Sequence, residues 1–471
     1  MKGFTDRPDG YTVELLESGA TLNDVIDERI CQQALAEKRA FMVADLGALM
    51  HQHACWRSTA PRLQPYFPLR CNRSPAVVEV LASLGLGFVC ASKTEVNLAL
   101  EHGASPNNII LAGVCKQLAL VKAAAKHDVC HLVCENEAEL AKIARLHPRA
   151  KLLLQLSTEA HAAETSVAFG ATLKSCCHLL EVAKTLGVRV VGVAFHVPTS
   201  CQEPQRAYGH ALADARCLFD MGADLGFTMN ILDIGSGFTG SEFQLKEVEA
   251  AVSPLLDAFF PPLSGVHVLA QPGSFYVASA FSLAVSVIAK EVVTRRWDAF
   301  TPAGNDNAEC AEFLYYMNEG VYGPFGAKLL GNTITAPAVH KQVPCAATAA
   351  YPSCLRGPTL DQIDLVVERC LLPELSVGDW LLFANMGACG LDVLAGHTCA
   401  SPQPPVYYAA TFSDCDRTFA RRMEGTPGRA GLAGSLARTP PRLPLFCLLA
   451  HRFRRFPSGG RIAGTKCRKW A

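Results

Sequence analysis

The chain has 471 residues, of which half are apolar, and it carries 43 basic and 43 acidic side chains. The charge is uneven, because the residues from Arg417 onward hold 13 Lys or Arg and one acid, whereas residues 1–416 hold 30 basic and 42 acidic side chains. A body with a net charge of about −12 excludes a general nucleic-acid-binding role, and the length predicts two or three domains, or one barrel plus a smaller domain.

An alternation of apolar runs and helical patterns follows a mixed N-terminal segment at residues 1–45, which ends in a strand pattern at 40–45. Near-continuous apolar runs are typical of buried parallel strands. Eight of them occur, at residues 66–70, 87–90, 108–112, 130–134, 151–156, 190–196, 229–234 and 266–270. Helical patterns separate them, so we predict a closed (β/α)8 TIM-like barrel over residues 46–274. An open, doubly wound sheet is the alternative.

The pattern changes at about residue 275. Apolar runs at 275–289, 313–318, 379–383 and 406–409, separated by many Pro and Gly residues, predict a mostly antiparallel β domain over residues 275–412. The strand at 40–45 is expected to complete this domain, and the polar stretch 293–311 is expected to be a loop. Residues 413–471 are basic and aperiodic, which predicts a disordered tail or, alternatively, a nuclear-import or anion-binding element.

The 20 cysteines include no Cys-x-x-Cys pair, so we expect reduced thiols and no metal site. The N-terminal residues are polar, and the longest apolar run, 277–289, is too short to span a bilayer. The sequence therefore predicts a protein of the cytoplasm, or also of the nucleus, without a membrane partner.

Several motifs occur in a fixed order along the chain: GFVCASK at 87–93, VGVAFHV at 191–197, LDIGSGF at 232–238, NEGVYG at 318–323 and NMGA at 385–388. In this order they resemble the ornithine decarboxylase family of pyridoxal-phosphate enzymes and its non-catalytic members, the antizyme inhibitors. The resemblance runs from Met1 to about Ser413. It implies the fold of alanine racemase and ornithine decarboxylase, a barrel with a β domain.

Position 70 decides what the resemblance implies about catalysis. The run Tyr66–Leu69 predicts a buried strand with Arg70 at its carboxyl end, where α/β barrels hold their active sites. The family has at this position a lysine that forms a Schiff base with the cofactor. A guanidinium stays protonated and cannot form that bond.

The resemblance implies that further positions of the site are changed. The catalytic positions that differ are Arg70, Val89, Gln271 and Leu360, and the cofactor-binding positions that differ are Gln155, Ser274, Cys389 and the loop Gly235, Ser236 and Gly237, in which a serine interrupts three glycines. Only His196 and Asp361 are retained. We therefore expect a catalytically dead chain with no cofactor, in which pyridoxal phosphate binding is lost. A pyridoxal-phosphate-dependent amino-acid decarboxylase with altered chemistry is the alternative.

The stretch from Lys116 to Leu140 resembles the antizyme-binding element of the family. The expected contact residues are Lys116, Gln117, Lys122, Lys126, Glu139, Leu140 and Lys142. A helix is expected to begin at Lys116, and Lys122 and Lys126 would share one face of it. The resemblance implies a pseudoenzyme that binds antizyme, frees ornithine decarboxylase from inhibition and degradation, and promotes polyamine synthesis and uptake. Ordinary solvated lysines, or a scaffold that works through the basic tail, are the alternatives.

The resemblance implies a monomer, or at most a weak dimer, because the lysine that pairs across the family's dimer interface is replaced by Ala168, while its aspartate partner is present as Asp364. An unpaired carboxylate is expensive to bury, so Asp364 is expected to face water.

Overall fold

A computed structural model describes residues 11–16, 20–33, 37–159, 170–198, 201, 203–296, 309–330, 333–341, 349–388 and 403–411. The chain divides into two compact units, Met1–Thr411 and Phe412–Ala471. All described residues belong to the first unit, so the predicted basic tail lies outside them.

The N-terminal segment contributes β1 (Val13–Leu16), α1 (Leu22–Gln32) and β2 (Phe41–Asp45). Helix α2 (Leu46–Thr59) follows β2 without a linker. Its first turn is capped by Asp45, whose carboxylate accepts a hydrogen bond from the Gly47 amide at 2.8 Å.

Eight parallel strands then close into a barrel: β3 (Leu63–Pro68), β4 (Gly87–Cys90), β5 (Ile109–Leu111), β6 (His131–Cys134), β7 (Lys151–Gln155), β8 (Arg189–Ala194), β9 (Ile231–Asp233) and β10 (His267–Ala270). The helices between and after them are α3 (Pro75–Ser83), α4 (Lys93–Glu101), α5 (Leu118–Lys126), α6 (Glu137–Leu146), α7 (Leu173–Thr185), α8 (Pro204–Asp224), α9 (Glu242–Phe259) and the short α10 (Gly273–Val277). The predicted barrel is confirmed, and the open doubly wound sheet is wrong.

One layer of apolar side chains fills the barrel interior. It consists of Tyr66, Val89, Ile110, Val133, Leu153, Ala194 and Leu269, one from each of seven strands. Full burial of a large apolar side chain stabilises the fold by about 1.5–3 kcal/mol. The barrel is therefore a packed core, and its chemistry is confined to the two ends.

The second layer is a mixed, mostly antiparallel sheet, as predicted. Its remaining strands are β11 (Phe281–Arg296), β12 (Glu309–Met317), β13 (Ala338–Val339), β14 (Tyr351–Arg356), β15 (Leu365–Leu372), β16 (Trp380–Phe383) and β17 (Val406–Thr411). They pair in the order β1-β17-β2-β11-β12-β14-β15, with β16 against β11 and β13. Strand β2 thus lies inside this sheet, between β17 and β11.

Two local predictions in this half of the chain are wrong. The expected loop at 293–311 overlaps β11 at one end and β12 at the other, since β11 extends to Arg296 and β12 begins at Glu309, and residues 297–308 lie outside the described residues. The expected strand at 275–289 instead begins as helix α10 and becomes a strand only at Phe281. Strand pairing supplies hydrogen bonds to polar stretches that an apolar pattern does not identify.

Side-chain hydrogen bonds join the barrel to the sheet immediately beyond strand β3. The Asn72 amide donates to the Gly387 carbonyl at 3.0 Å, and the Ser74 hydroxyl lies 2.7 Å from the Tyr408 hydroxyl. Gly387 packs so closely that a Cβ added to it would lie 1.8 Å from the Val277 carbonyl oxygen. The turn that carries Arg70 is therefore held between both layers.

Candidate functional site

Arg70 lies at the carboxyl end of β3. The last strand-like contact is made by Leu69, whose amide donates to the Val89 carbonyl at 3.0 Å, and the chain then turns, with the Cys71 amide donating to the Pro68 carbonyl at 2.9 Å. The Arg70 side chain is exposed, whereas Leu69 and Asn72 on either side are buried. The structure thus presents a permanent cation at the mouth of the barrel where the family resemblance places an amine.

Val89 and Gln155 lie on strands of the same barrel. Val89 is buried in the interior layer, so it adds an apolar wall below the mouth. Gln155 ends β7 and is also buried, and its backbone carbonyl accepts from the Ala171 amide at 2.8 Å. A neutral amide in this position adds no positive charge to the mouth.

The loop Gly235–Gly237 follows β9 and adopts a conformation that demands its two glycines. Gly235 has φ +75° and Gly237 φ +126°, and a Cβ on Gly235 would lie 2.3 Å from the Phe195 carbonyl oxygen. Ser236, between them, has no left-handed φ. Its hydroxyl lies 2.8 Å from Nδ1 of His196.

Asp233, which the sequence analysis did not single out, organises this part of the site. Its Oδ1 accepts from the Gly235 amide at 2.9 Å and its Oδ2 accepts from the Gln271 side-chain amide at 2.8 Å. Burial raises the pKa of Asp233 to about 6, although both hydrogen bonds act in the opposite direction. An acid at a strand end, two residues before the first glycine of the loop, is the sequence signal for such a role.

The side-chain amide of Gln271 is therefore hydrogen-bonded to Asp233, and the backbone amide of Gln271 donates to the Gly235 carbonyl at 2.7 Å. Ser274 lies in the short helix α10. Its backbone carbonyl is close to Gly240, since a Cβ added to that glycine would lie 3.7 Å from the carbonyl oxygen. Of the catalytic and cofactor-binding positions named from the sequence, His196, Gly235–Gly237, Gln271 and Ser274 thus lie at one end of the barrel.

Leu360 and Asp361 lie on the sheet layer, in the turn between β14 and β15. Leu360 is fully exposed, and Asp361 accepts a hydrogen bond from the Tyr322 hydroxyl. The pKa of Glu319 is raised to about 7, chiefly because the carboxyl is buried and also because of the negative charge of Asp364. Cys389 and Ala168, which the sequence analysis also named, lie outside the described residues.

Asp364 does not face water, and that expectation is wrong. It is completely buried, and it accepts hydrogen bonds from the Val321 amide at 2.8 Å, the Thr359 amide at 3.1 Å and the Thr359 hydroxyl at 2.7 Å. Three donors within its own chain stabilise the buried carboxylate.

Lys116 does not lie on the expected basic surface, because it is only 3% exposed. Its ammonium donates to the carbonyls of Gly113 at 2.8 Å and Val133 at 2.6 Å, and burial lowers its pKa. Helix α5 begins at Leu118, so Lys116 precedes the helix it was expected to open. It is a structural cation under the surface.

The other expected contact residues divide between surface and core. Gln117, Lys122 and Lys126 are exposed, whereas Leu140 and Glu139 are buried and Lys142 is half-buried. Lys142 donates to the Lys116 carbonyl at 2.5 Å and pairs with Glu139. The exposed side chains lie beside Leu118, which is 49% exposed. We name the set Gln117, Leu118, Lys122 and Lys126 the α5 face.

Within the described ranges, no cluster of three or more His, Cys, Asp or Glu side chains could hold a metal ion. No helix in those same ranges is long and apolar enough to cross a membrane.

Residues 46–278 match the family described as the pyridoxal binding domain of pyridoxal-dependent decarboxylases. The arginine decarboxylase of Paramecium bursaria Chlorella virus, a solved structure, superposes with a TM-score of 0.72 at 28% sequence identity over 82% of this chain and 100% of its own. The expectation that the chain has no cofactor and has lost pyridoxal phosphate binding is therefore wrong, because its fold is a pyridoxal-binding one. Gly235 and Gly237 have the left-handed φ of backbone turns that bind anions through their amides, so this loop fits a phosphate, whereas Arg70 does not fit a covalent link to the cofactor.

Curated proteins that match most of this chain are antizyme inhibitors and ornithine decarboxylases. The chain is 49% identical over 418 residues to antizyme inhibitor 1 of Pongo abelii, covering 88% of this chain and 92% of that protein. It is 43% identical to ornithine decarboxylase of Mus pahari, covering 87% and 88%, and 42% identical to antizyme inhibitor 2 of Xenopus laevis, covering 87% and 89%. The chain belongs to the ornithine decarboxylase and antizyme inhibitor family.

Proposed function

We propose that this chain is a catalytically inactive antizyme inhibitor. It binds ornithine decarboxylase antizyme in place of ornithine decarboxylase, which releases the decarboxylase from inhibition and degradation and so promotes polyamine synthesis and uptake. The observation that carries the proposal is Arg70 at the carboxyl end of β3, in a chain that is 49% identical to an antizyme inhibitor.

Arg70 supports inactivity through simple chemistry. Decarboxylation in this family depends on a lysine amine that becomes linked to the cofactor, and a guanidinium does not lose its proton at ordinary pH. Gln271 adds to this argument, because its amide is held by Asp233 and carries no charge to pair with a ring nitrogen. Competition for antizyme needs binding alone.

The α5 face supports antizyme docking. It combines two cations, Lys122 and Lys126, with the exposed apolar side chain of Leu118. On a body with a net charge of about −12, a local basic face orients an acidic partner. The buried contacts of Lys116 and Glu139 join the start of α5 to α6 and hold the face in position, so these two residues serve binding indirectly.

Asp364 supports a monomer. Its three hydrogen bonds to Val321 and Thr359 are made within the chain, which leaves little capacity for an ion pair across an interface. Cys31, Cys115 and Cys217 are exposed free thiols, which agrees with a reducing compartment such as the cytoplasm or nucleus.

The test is a binding and competition assay with purified antizyme and ornithine decarboxylase. We expect the wild-type chain to bind antizyme and restore the activity of antizyme-inhibited decarboxylase, and to release no carbon dioxide from ornithine by itself. The variant Lys122→Glu/Lys126→Glu should bind antizyme at least about tenfold more weakly, which corresponds to about 1.4 kcal/mol.

The matched control is Lys174→Glu/Lys184→Glu, which reverses two exposed lysines on helix α7 and should leave antizyme affinity unchanged. Equal weakening by both double variants would show that net charge, and not the α5 face, governs binding. Carbon dioxide release by the wild-type chain, absent from an Arg70→Ala variant, would instead favour the altered decarboxylase.

A further inference from the structure

A cavity opens at the end of the barrel opposite Arg70 and His196. It has a volume of about 630 Å³ and is lined by residues at or next to the starts of the strands. His131, Lys151, Arg189 and His267 are the first residues of β6, β7, β8 and β10, and all four line it. Active sites of α/β barrels lie at the other end, so this cavity is separate from the pyridoxal-binding mouth.

Three basic residues lie side by side across the strands. His131 is the register partner of Lys151, and Lys151 is the register partner of Arg189. Neighbouring strands are about 4.8 Å apart, and like charges opposite each other repel. No Asp or Glu is among the described residues that line the cavity, and in that part of the chain neither Lys151 nor Arg189 forms an ion pair.

The rest of the lining supplies neutral donors and an apolar floor. Asn108, Asn230 and Thr228 offer side-chain hydrogen-bond donors at the rim. Tyr66 and Leu269 belong to the packed interior layer and close the bottom. Burial and the charge of Lys151 lower the pKa of His131 to about 4, so at neutral pH this imidazole is an uncharged hydrogen-bonding group.

We propose that this cavity binds a small phosphate-bearing metabolite, with Arg189 and Lys151 gripping the phosphate and Tyr66 and Leu269 contacting the carbon skeleton. A guanidinium fork matches two phosphate oxygens, and an ammonium adds a compact charge beside it. The volume lies in the range of small-molecule sites. A bound anion removes the repulsion between two adjacent cations that the chain itself leaves unbalanced.

The experiment is calorimetric titration of the full chain with glycerol 3-phosphate and, separately, with citrate as a phosphate-free polyanion. We expect glycerol 3-phosphate to bind with a dissociation constant of about 1 mM or tighter. Binding should weaken with added salt and weaken at least about tenfold in Lys151→Gln/Arg189→Gln. The control Lys174→Gln/Lys184→Gln, with two exposed lysines on α7, should bind like wild type.

The variant Lys151→Gln/Arg189→Gln should melt at a temperature no lower than that of the wild type, because it removes two cations that repel each other. If this double variant does not fold, the single variant Arg189→Gln is used in its place. No binding by the wild-type chain, or equal binding by the two double variants, would overturn the site. Binding of citrate as tight as that of glycerol 3-phosphate would overturn the assignment to phosphate.

Discussion

The ammonium of Lys116 lies 3.8 Å from Oε2 of Glu139, and both side chains are buried beneath the α5 face. Oε1 of the same carboxylate accepts from the Lys116 amide at 3.0 Å and pairs with Lys142, while Oε2 has no hydrogen-bond partner in the described structure. The ion pair to Lys116 is therefore the main compensation for that buried oxygen.

Removal of Lys116 should accordingly destabilise the fold. We expect Lys116→Met to lower the free energy of unfolding by about 3 kcal/mol, because Glu139 is left with an uncompensated buried oxygen. The exposed residue Lys122 is the control, and Lys122→Met should change stability by about 0.5 kcal/mol or less. Urea denaturation measures both. The loss of unfolding free energy in the double variant Lys116→Met/Glu139→Gln should be smaller than the sum of the losses in the two single variants. Strictly additive losses would contradict the pairing of Lys116 with Glu139.

The stability of the chain should depend on the ionisation of Asp233. Its pKa rises from 3.8 to about 6 on folding because the carboxyl is buried. The folded state therefore holds a proton that the unfolded state has lost, and this contribution to stability is full below pH 4 and disappears as the pH rises to about 6. The shift corresponds to about 3 kcal/mol.

An Asp233→Asn variant isolates this effect, since its amide can still accept from Gly235 but cannot ionise. We expect the difference in unfolding free energy between wild type and variant to change steadily from pH 4 to pH 6 and to be constant above pH 7. A difference that does not change with pH would show that Asp233 is not a buried acid of raised pKa.

Gly235→Ala should be far more damaging than Gly85→Ala. Both glycines have a left-handed φ, +75° and +87°, but only Gly235 has a carbonyl oxygen 2.3 Å from the added methyl carbon. Gly85→Ala adds conformational strain of about 1 kcal/mol. For Gly235→Ala we expect at least about 3 kcal/mol, with displacement of the loop. Thermal melts compare them, and equal losses would mean that the loop moves aside freely.

Arg70→Lys tests whether the residue at position 70 alone prevents a covalent link to pyridoxal phosphate. A lysine there supplies the amine that a guanidinium lacks. After incubation with pyridoxal phosphate and borohydride reduction, peptide mass spectrometry should find a pyridoxyl adduct on residue 70 of the variant and none there in the wild type. Decarboxylase activity should stay absent, since Gln271 is held by Asp233. If the introduced lysine stays unmodified, the mouth does not bring the cofactor to this position.

The barrel could be predicted from sequence because its strands are buried on both sides. Most are nearly continuous apolar runs, such as Gly87–Cys90, and several are followed by a helix with a side-chain cap, such as Ser92 before α4. Strand β11 was placed less well. Its outer half contains Lys290, Glu291 and Arg296, whose backbone pairing with β12 leaves no apolar pattern.

The candidate site was predicted less completely, for a related reason. Lys116 and Asp364 carry charges that normally lie in water, and each is buried by bonds to groups distant in sequence, Val133 for the one and Val321 for the other. Local sequence indicates side-chain type and spacing, but such distant partners exist only once the chain has folded. The role of Asp233 likewise depends on Gln271, 38 residues away.

The position of β2 has a consequence for biosynthesis. Met42 pairs with Val406 on one side and with Leu283 on the other, so β2 cannot complete its pairing until β17 has been synthesised. At ribosomal speeds this delay is roughly 20 to 70 s. During it, Phe41 to Ala44, which the finished sheet buries, present an unpaired apolar edge to the cell. A nascent chain of this kind should depend on chaperones that shield the ribosomal exit, and a product stopped before β17 should aggregate.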